Sequence, residues 1–186
     1  MTKILCFASL LVLSGALSGT LVSAQTTSPA PAATSAVPVP APVATVKPDL
    51  SGTWKLDLTK SDFDQVPPPA DETVVFARTG PAFTIATTSD NERGKEVYTL
   101  PFTVDGTDTP TPKGIFADTA TLQYLSTKGE WQGASLVLTQ KIMYQGAPGS
   151  LKSTFTLSAD GKTLARAMHI SVDQGEFDTN SIFEKQ

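Results

Sequence analysis

The sequence predicts an all-β domain, an antiparallel up-and-down β-barrel of about eight to ten strands. Three observations carry this. From Asp49 onwards apolar residues recur with a period of two, not 3.6. Gly, Pro and Asp interrupt that alternation at short intervals, as turns do. The last four strand-like segments are joined by connections short enough to make antiparallel hairpins. A long meander that is apolar on one face must curl to cover it, and closure also removes exposed edges. A β-sandwich is the rival architecture.

The alternation starts in "SGTWKLDL", residues 51–58. Gly52, Trp54, Leu56 and Leu58 fall on one face, and Ser51, Thr53, Lys55 and Asp57 on the other. "ETVVFART" and "AFTIATT" follow across Gly80-Pro81. "KEVYTLPFTVDG" reads as a strand in which Pro101 marks an edge, bulge or bend. "TATLQYLS" is the next. In "SLVLTQKIMYQG" the residues Leu136, Leu138, Gln140, Ile142 and Tyr144 share a face. In "LKSTFTLS" the shared face holds Leu151, Ser153, Phe155 and Leu157. Asp160-Gly161 supplies the positive φ of a two-residue hairpin turn. "KTLARAMHISV" aligns Leu164, Arg166, Met168 and Ile170, and "DQGE" turns the chain into "EFDTNSIFEK", which aligns Phe177, Thr179, Ser181 and Phe183. That makes about nine strands. The stretch from Pro101 to Trp131 is irregular and leaves the count open.

The region before Asp49 has a different character. Lys3, the apolar run Ile4–Leu21 and the small-x-small Val22-Ser23-Ala24 make residues 1–24 a signal peptide with cleavage after Ala24. Residues 25–48 hold six prolines among Ala, Thr, Val and Ser, the composition of an extended disordered linker. Residues 49–186 form the barrel domain, large enough to bury about two thirds of its unfolded surface. The chain has one cysteine, Cys6, inside the signal. The mature protein then has no thiol for a disulfide, a nucleophile or a zinc site. A secreted or periplasmic location follows, with no membrane span once the signal is removed.

The domain carries all eighteen acidic residues against twelve Lys and Arg. Such a surface repels phosphate backbones, so no nucleic-acid partner is expected. A monomer is expected.

Gly52-Thr53-Trp54 on the first strand resembles the G-x-W signature of lipocalins. More closely, "LSGTWKLDLTKSDF" and "LSADGKTLARAMHIS…GEFDTNSIFEKQ" resemble a group of small secreted bacterial lipocalin-like proteins of unknown function. The resemblance implies that Trp54 closes the barrel floor and that an arginine from a late strand packs across its ring. Arg166 is the candidate, the one charged residue on the Leu164–Ile170 face; a guanidinium over an indole gains roughly 0.5–2 kcal/mol. Gly52, Trp54, Arg166 and Phe183 are thus expected at the barrel end. An even number of strands brings Trp54 near Arg166 and Phe183; an odd number moves it to the opposite end.

The interior faces mix apolar and polar residues. Gln140, Ile142, Tyr144, Ser153, Phe155, Met168, Phe177 and Thr179 are the candidate lining of a site for a small apolar or amphipathic ligand. Their polar groups must find partners, either among themselves or on a ligand. If Arg166 is not stacked on Trp54, it is placed to pair with a ligand carboxylate. Phe63, in the polar "KSDFDQVPPP", is expected to plug one end of the barrel or to act as a lid. No catalytic residue, cofactor or metal site is assigned: His169 is single, and no nucleophile motif accompanies it. Asp62-Phe63-Asp64 and Asp105-Gly106-Thr107-Asp108 are dense in carboxylates but read first as turns. The alternative function is a structural or protein-interaction module of the cell envelope without a small-molecule ligand.

Overall fold

The computed structural model describes residues 46–92, 94–116 and 121–186. The expected signal peptide, residues 1–24, and residues 25–45 of the expected linker lie outside the described residues. Val46 to Pro48, the last residues of the expected linker, form no strand, and Val46 is exposed.

Ten strands make one sheet: β1 (Gly52–Leu56), β2 (Asp71–Thr79), β3 (Ala82–Asn91), β4 (Gly94–Thr103), β5 (Asp105–Pro110), β6 (Leu122–Gln132), β7 (Ser135–Tyr144), β8 (Ala147–Leu157), β9 (Thr163–Val172) and β10 (Gly175–Lys185). Their spatial order is β4-β3-β2-β1-β10-β9-β8-β7-β6-β5, with every neighbour antiparallel. The first strand pairs with the last, Trp54 opposite Lys185 and Leu56 opposite Phe183. β4 and β5 follow each other in sequence but share no ladder. The barrel is therefore nearly closed, with one seam between them.

Side chains close that seam. At Gly129 on β6 a Cβ would stand 2.5 Å from the Thr103 carbonyl oxygen and 2.8 Å from the Phe102 ring. Any larger residue would push the end of β4 off β6, so here glycine is required by close approach. Higher up, the rings of Tyr98 on β4, Tyr124 on β6 and Phe116 lie 5.1–5.6 Å apart and span the seam. Pro101 sits on β4, whose second side has no strand partner, and there a missing N–H costs no ladder bond.

Several local expectations are corrected. The tenth strand is β5, in the irregular stretch: Asp105-Gly106-Thr107-Asp108 both bulges and pairs with β6. Gly106 at φ 79° breaks the two-residue period there. Leu58 leaves the Trp54 face and is exposed in a single 3₁₀ turn, Leu58–Lys60. The β8–β9 connection is a five-residue loop, not a two-residue turn. Only Gly161 has positive φ in it, while Asp160 accepts hydrogen bonds from the Ser158 hydroxyl and the Lys162 amide. The two-residue hairpin turn with positive φ at both positions is Gln145-Gly146, between β7 and β8.

One cluster of buried side chains forms the core. Trp54, Phe76, Leu100, Phe102, Leu136, Phe155, Leu164 and Phe183 are all essentially inaccessible. Trp54 is the end plug, and its Nε1–H donates to the Leu50 carbonyl at 2.9 Å. No helix among the described residues is long and apolar enough to cross a membrane.

Candidate functional site

The strand registers stack the interior in levels. On β9 and β10 the inward pairs are Leu164 with Phe183, Arg166 with Ser181, Met168 with Thr179, and Ile170 with Phe177. The first pair belongs to the packed core. Above it the space opens into a cavity of about 470 Å³. That volume lies within the range of pockets that take small organic ligands.

Apolar side chains make most of the wall, including Ile142, Tyr144, Leu151, Met168, Ile170 and Phe177. The segment between β1 and β2 reaches over the cavity and contributes Phe63, Val66, Pro67 and Pro69. Phe63 also packs against the core cluster. It is fixed there because Asp62 and Asn180 exchange two backbone hydrogen bonds of 2.7 Å, tying the loop to β10. Phe63 thus both packs against the core and borders the cavity.

An ion pair sits at the level where core gives way to cavity. Arg166 on β9 and Glu72 on β2 meet fork to fork, Nη1 to Oε1 at 2.7 Å and Nη2 to Oε2 at 2.9 Å. Their side chains are 11% and 7% exposed. Nη2 also donates to the Ser181 hydroxyl at 3.2 Å. The guanidinium carbon lies 4.9 Å from the Phe183 ring centroid. Burial opposes the charge on Arg166, and the Glu72 carboxylate more than offsets it, holding the guanidinium above its usual value. Across the cavity the Tyr98 and Tyr124 hydroxyls share a hydrogen bond of 3.2 Å. Burial in the first place pushes both phenols above their usual range; the nearby Glu72 charge adds to it at Tyr98, and the neighbouring Tyr98 adds to it at Tyr124, so both stay protonated. Two polar atoms of the wall are buried without a hydrogen-bond partner among the described residues, Arg166 Nε and Thr179 Oγ1.

The structure sorts the sequence-predicted residues. Ile142, Tyr144, Met168, Phe177 and Thr179 border the cavity. Gln140, Ser153 and Phe155 face the interior but do not border it. Gln140 donates to the Thr127 hydroxyl, Ser153 is enclosed, and Phe155 packs edge-on to Phe76 at 5.1 Å. Alternation tells inside from outside, but not how deep along the barrel a residue lies.

Gly52, Trp54 and Phe183 sit at the barrel end; Arg166 does not. Leu164 and Phe183 intervene between Arg166 and the floor, so the expected Arg166–Trp54 stack is replaced. The cation over the indole is Lys185, the ladder partner of Trp54, with Nζ 5.2 Å from the ring. Gly52, at φ 130°, leaves space for that lysine: a Cβ would meet its Cε at 3.3 Å. His169 faces outward and its Nδ1 pairs with Asp178 at 2.8 Å on the outer wall. The chief residue missed in the sequence is Glu72. A signal existed, because Glu72 shares the parity of Val74 and Phe76.

No family model matches the sequence. No curated protein matches it either. Among solved structures, the chain is similar to a zebrafish ileal bile acid-binding protein complexed with cholic acid, at 15% identity and a TM-score of 0.47. That alignment covers 73% of this chain and 98% of that one. It is also similar to a Schistosoma mansoni fatty acid binding protein in complex with arachidonic acid, at 14% identity and a TM-score of 0.43, covering 73% and 95%.

Proposed function

We propose that this chain is an exported, non-enzymatic binding protein that holds a small apolar or amphipathic molecule inside its barrel. The observation that carries this is the cavity: apolar walls over a polar floor, enclosed by strands and bordered by the Phe63 loop. A barrel built only for stability has no use for a cavity of about 470 Å³, since packed interiors contain few voids larger than a water molecule. Among the described residues the large exposed apolar side chains are Val46, Leu58, Val97 and Leu125. Export rests on Lys3, the apolar run and Val22-Ser23-Ala24. It agrees with the resemblance to small secreted bacterial lipocalin-like proteins.

The neutral fluorescent probe N-phenyl-1-naphthylamine tests the site. The chain from Gln25 onwards should bind it saturably, with one probe per chain. Ile170→Trp, which fills the cavity at the Ile170–Phe177 level, should weaken binding by about tenfold or more. No saturable signal, or an unchanged signal in the variant, overturns the proposal. Export is tested separately. Intact mass of protein recovered outside the bacterial cytoplasm should match a chain beginning at Gln25, and an unprocessed mass would refute it.

A further inference from the structure

We infer that the cavity selects an amphiphile with an uncharged, oxygen-bearing head group, and that Glu72 is what excludes anionic ones. The inference rests on the binding function proposed above and adds the chemistry of the head.

Arg166 is the one cationic side chain bordering the cavity among the described residues, and would be the natural anchor for a carboxylate. Glu72 has already taken that position. Both terminal nitrogens of the guanidinium face its two oxygens, and one of those nitrogens is shared with Ser181. The pair is neutral as a unit. An anion brought to it would displace nothing and would stand beside the Glu72 carboxylate in a poorly solvated space, where repulsion is strong. A protonated amine brings donors and no acceptor to the buried Arg166 Nε, so at the floor it fares no better, although Glu92 and Glu96 also border the cavity.

That lack is specific. Arg166 Nε is a donor with no acceptor, and the Thr179 hydroxyl has no partner. Both residues border the cavity, and both face inward on adjacent levels of the paired strands β9 and β10. Leaving such groups unsatisfied is costly, and native proteins rarely do so. A single neutral oxygen meets both needs: its lone pairs accept from Nε–H, and a hydroxyl or carbonyl oxygen also bonds the threonine hydroxyl. An alcohol is the simplest such head, and esters and amides share its acceptor.

Three dodecyl compounds decide the matter by displacing N-phenyl-1-naphthylamine at pH 8: dodecanol, dodecanoate and dodecylammonium. Dodecanol should displace the probe at a concentration about tenfold lower than either ion. Glu72→Gln frees Arg166 and should reverse the order between dodecanol and dodecanoate. Dodecanoate equal to or better than dodecanol in the unaltered protein overturns the inference and leaves the binding function standing. So does a folded Glu72→Gln variant in which dodecanoate gains nothing. A probe that binds but yields to none of the three also overturns it. If the probe itself fails to bind, the binding function falls and takes this inference with it. Should Glu72→Gln not fold, the order measured on the unaltered protein is sufficient by itself.

Discussion

Replacing Glu72 by leucine is expected to lower the unfolding free energy by about 3–5 kcal/mol, the range for removing one partner of a buried ion pair. The change takes away both Glu72 hydrogen bonds to the guanidinium and leaves a cation 11% exposed with Ser181 and the Phe183 ring beside it. Arg166 cannot escape by losing its proton, since guanidinium stays charged in proteins. The informative companion is the double variant Glu72→Leu/Arg166→Met. Substituting a whole buried pair by apolar groups of similar volume is often neutral or stabilising. Most of the lost stability should therefore return, while the preference among head groups should vanish. Denaturant midpoints measured at constant slope give the stabilities. A loss below about 1 kcal/mol for Glu72→Leu would mean that the pair behaves like an exposed one, bathed by water in the cavity.

Trp54→Ala should cost about 3–5 kcal/mol, the range for deleting a large buried aromatic. Trp54 is fully buried at the closed end, and three things depend on it. Its ring packs into the buried core cluster that includes Val74, Phe155, Leu164 and Phe183. Its Nε1–H satisfies the Leu50 carbonyl, and its face supports Lys185. Trp54→Phe separates these roles, since it keeps most of the ring but removes the donor. It should cost less than the alanine change, with part of the loss coming from the unpaired carbonyl. Equal losses in the two variants would contradict the assignment of Trp54 as a packing plug. Ligand affinity should move little in whatever fraction stays folded, because the core level of Leu164 and Phe183 separates Trp54 from the cavity.

The fold was legible because alternation survives in nearly every strand. From Leu136 to Tyr144 or from Leu164 to Ile170, the residues that share parity are those that face inward. β5 escaped notice because Gly106 adds a residue out of step and its neighbours are small, polar or proline. The count of strands depended on that one segment. The site was legible only in part. Met168, Thr179 and Phe177 could be assigned to the interior, and so could Phe155, which lies in solid core. What separates them is their height along the barrel, set by the stagger between strands that are distant in sequence. Glu72 shows the same limit. It obeys the parity of Val74 and Phe76, but its partner lies 94 residues away, and no local pattern announces that meeting.

The pairing of β1 with β10 governs when the barrel can exist. Trp54 finds its place only against Lys185, the second residue from the C-terminus, and the Gln186 amide closes the ladder onto the Thr53 carbonyl at 3.0 Å. During synthesis the plug of the barrel must wait until β10 has been made. Contacts this distant in sequence slow folding. The strand that starts the domain acts as a latch, and its catch is a strand far along the chain.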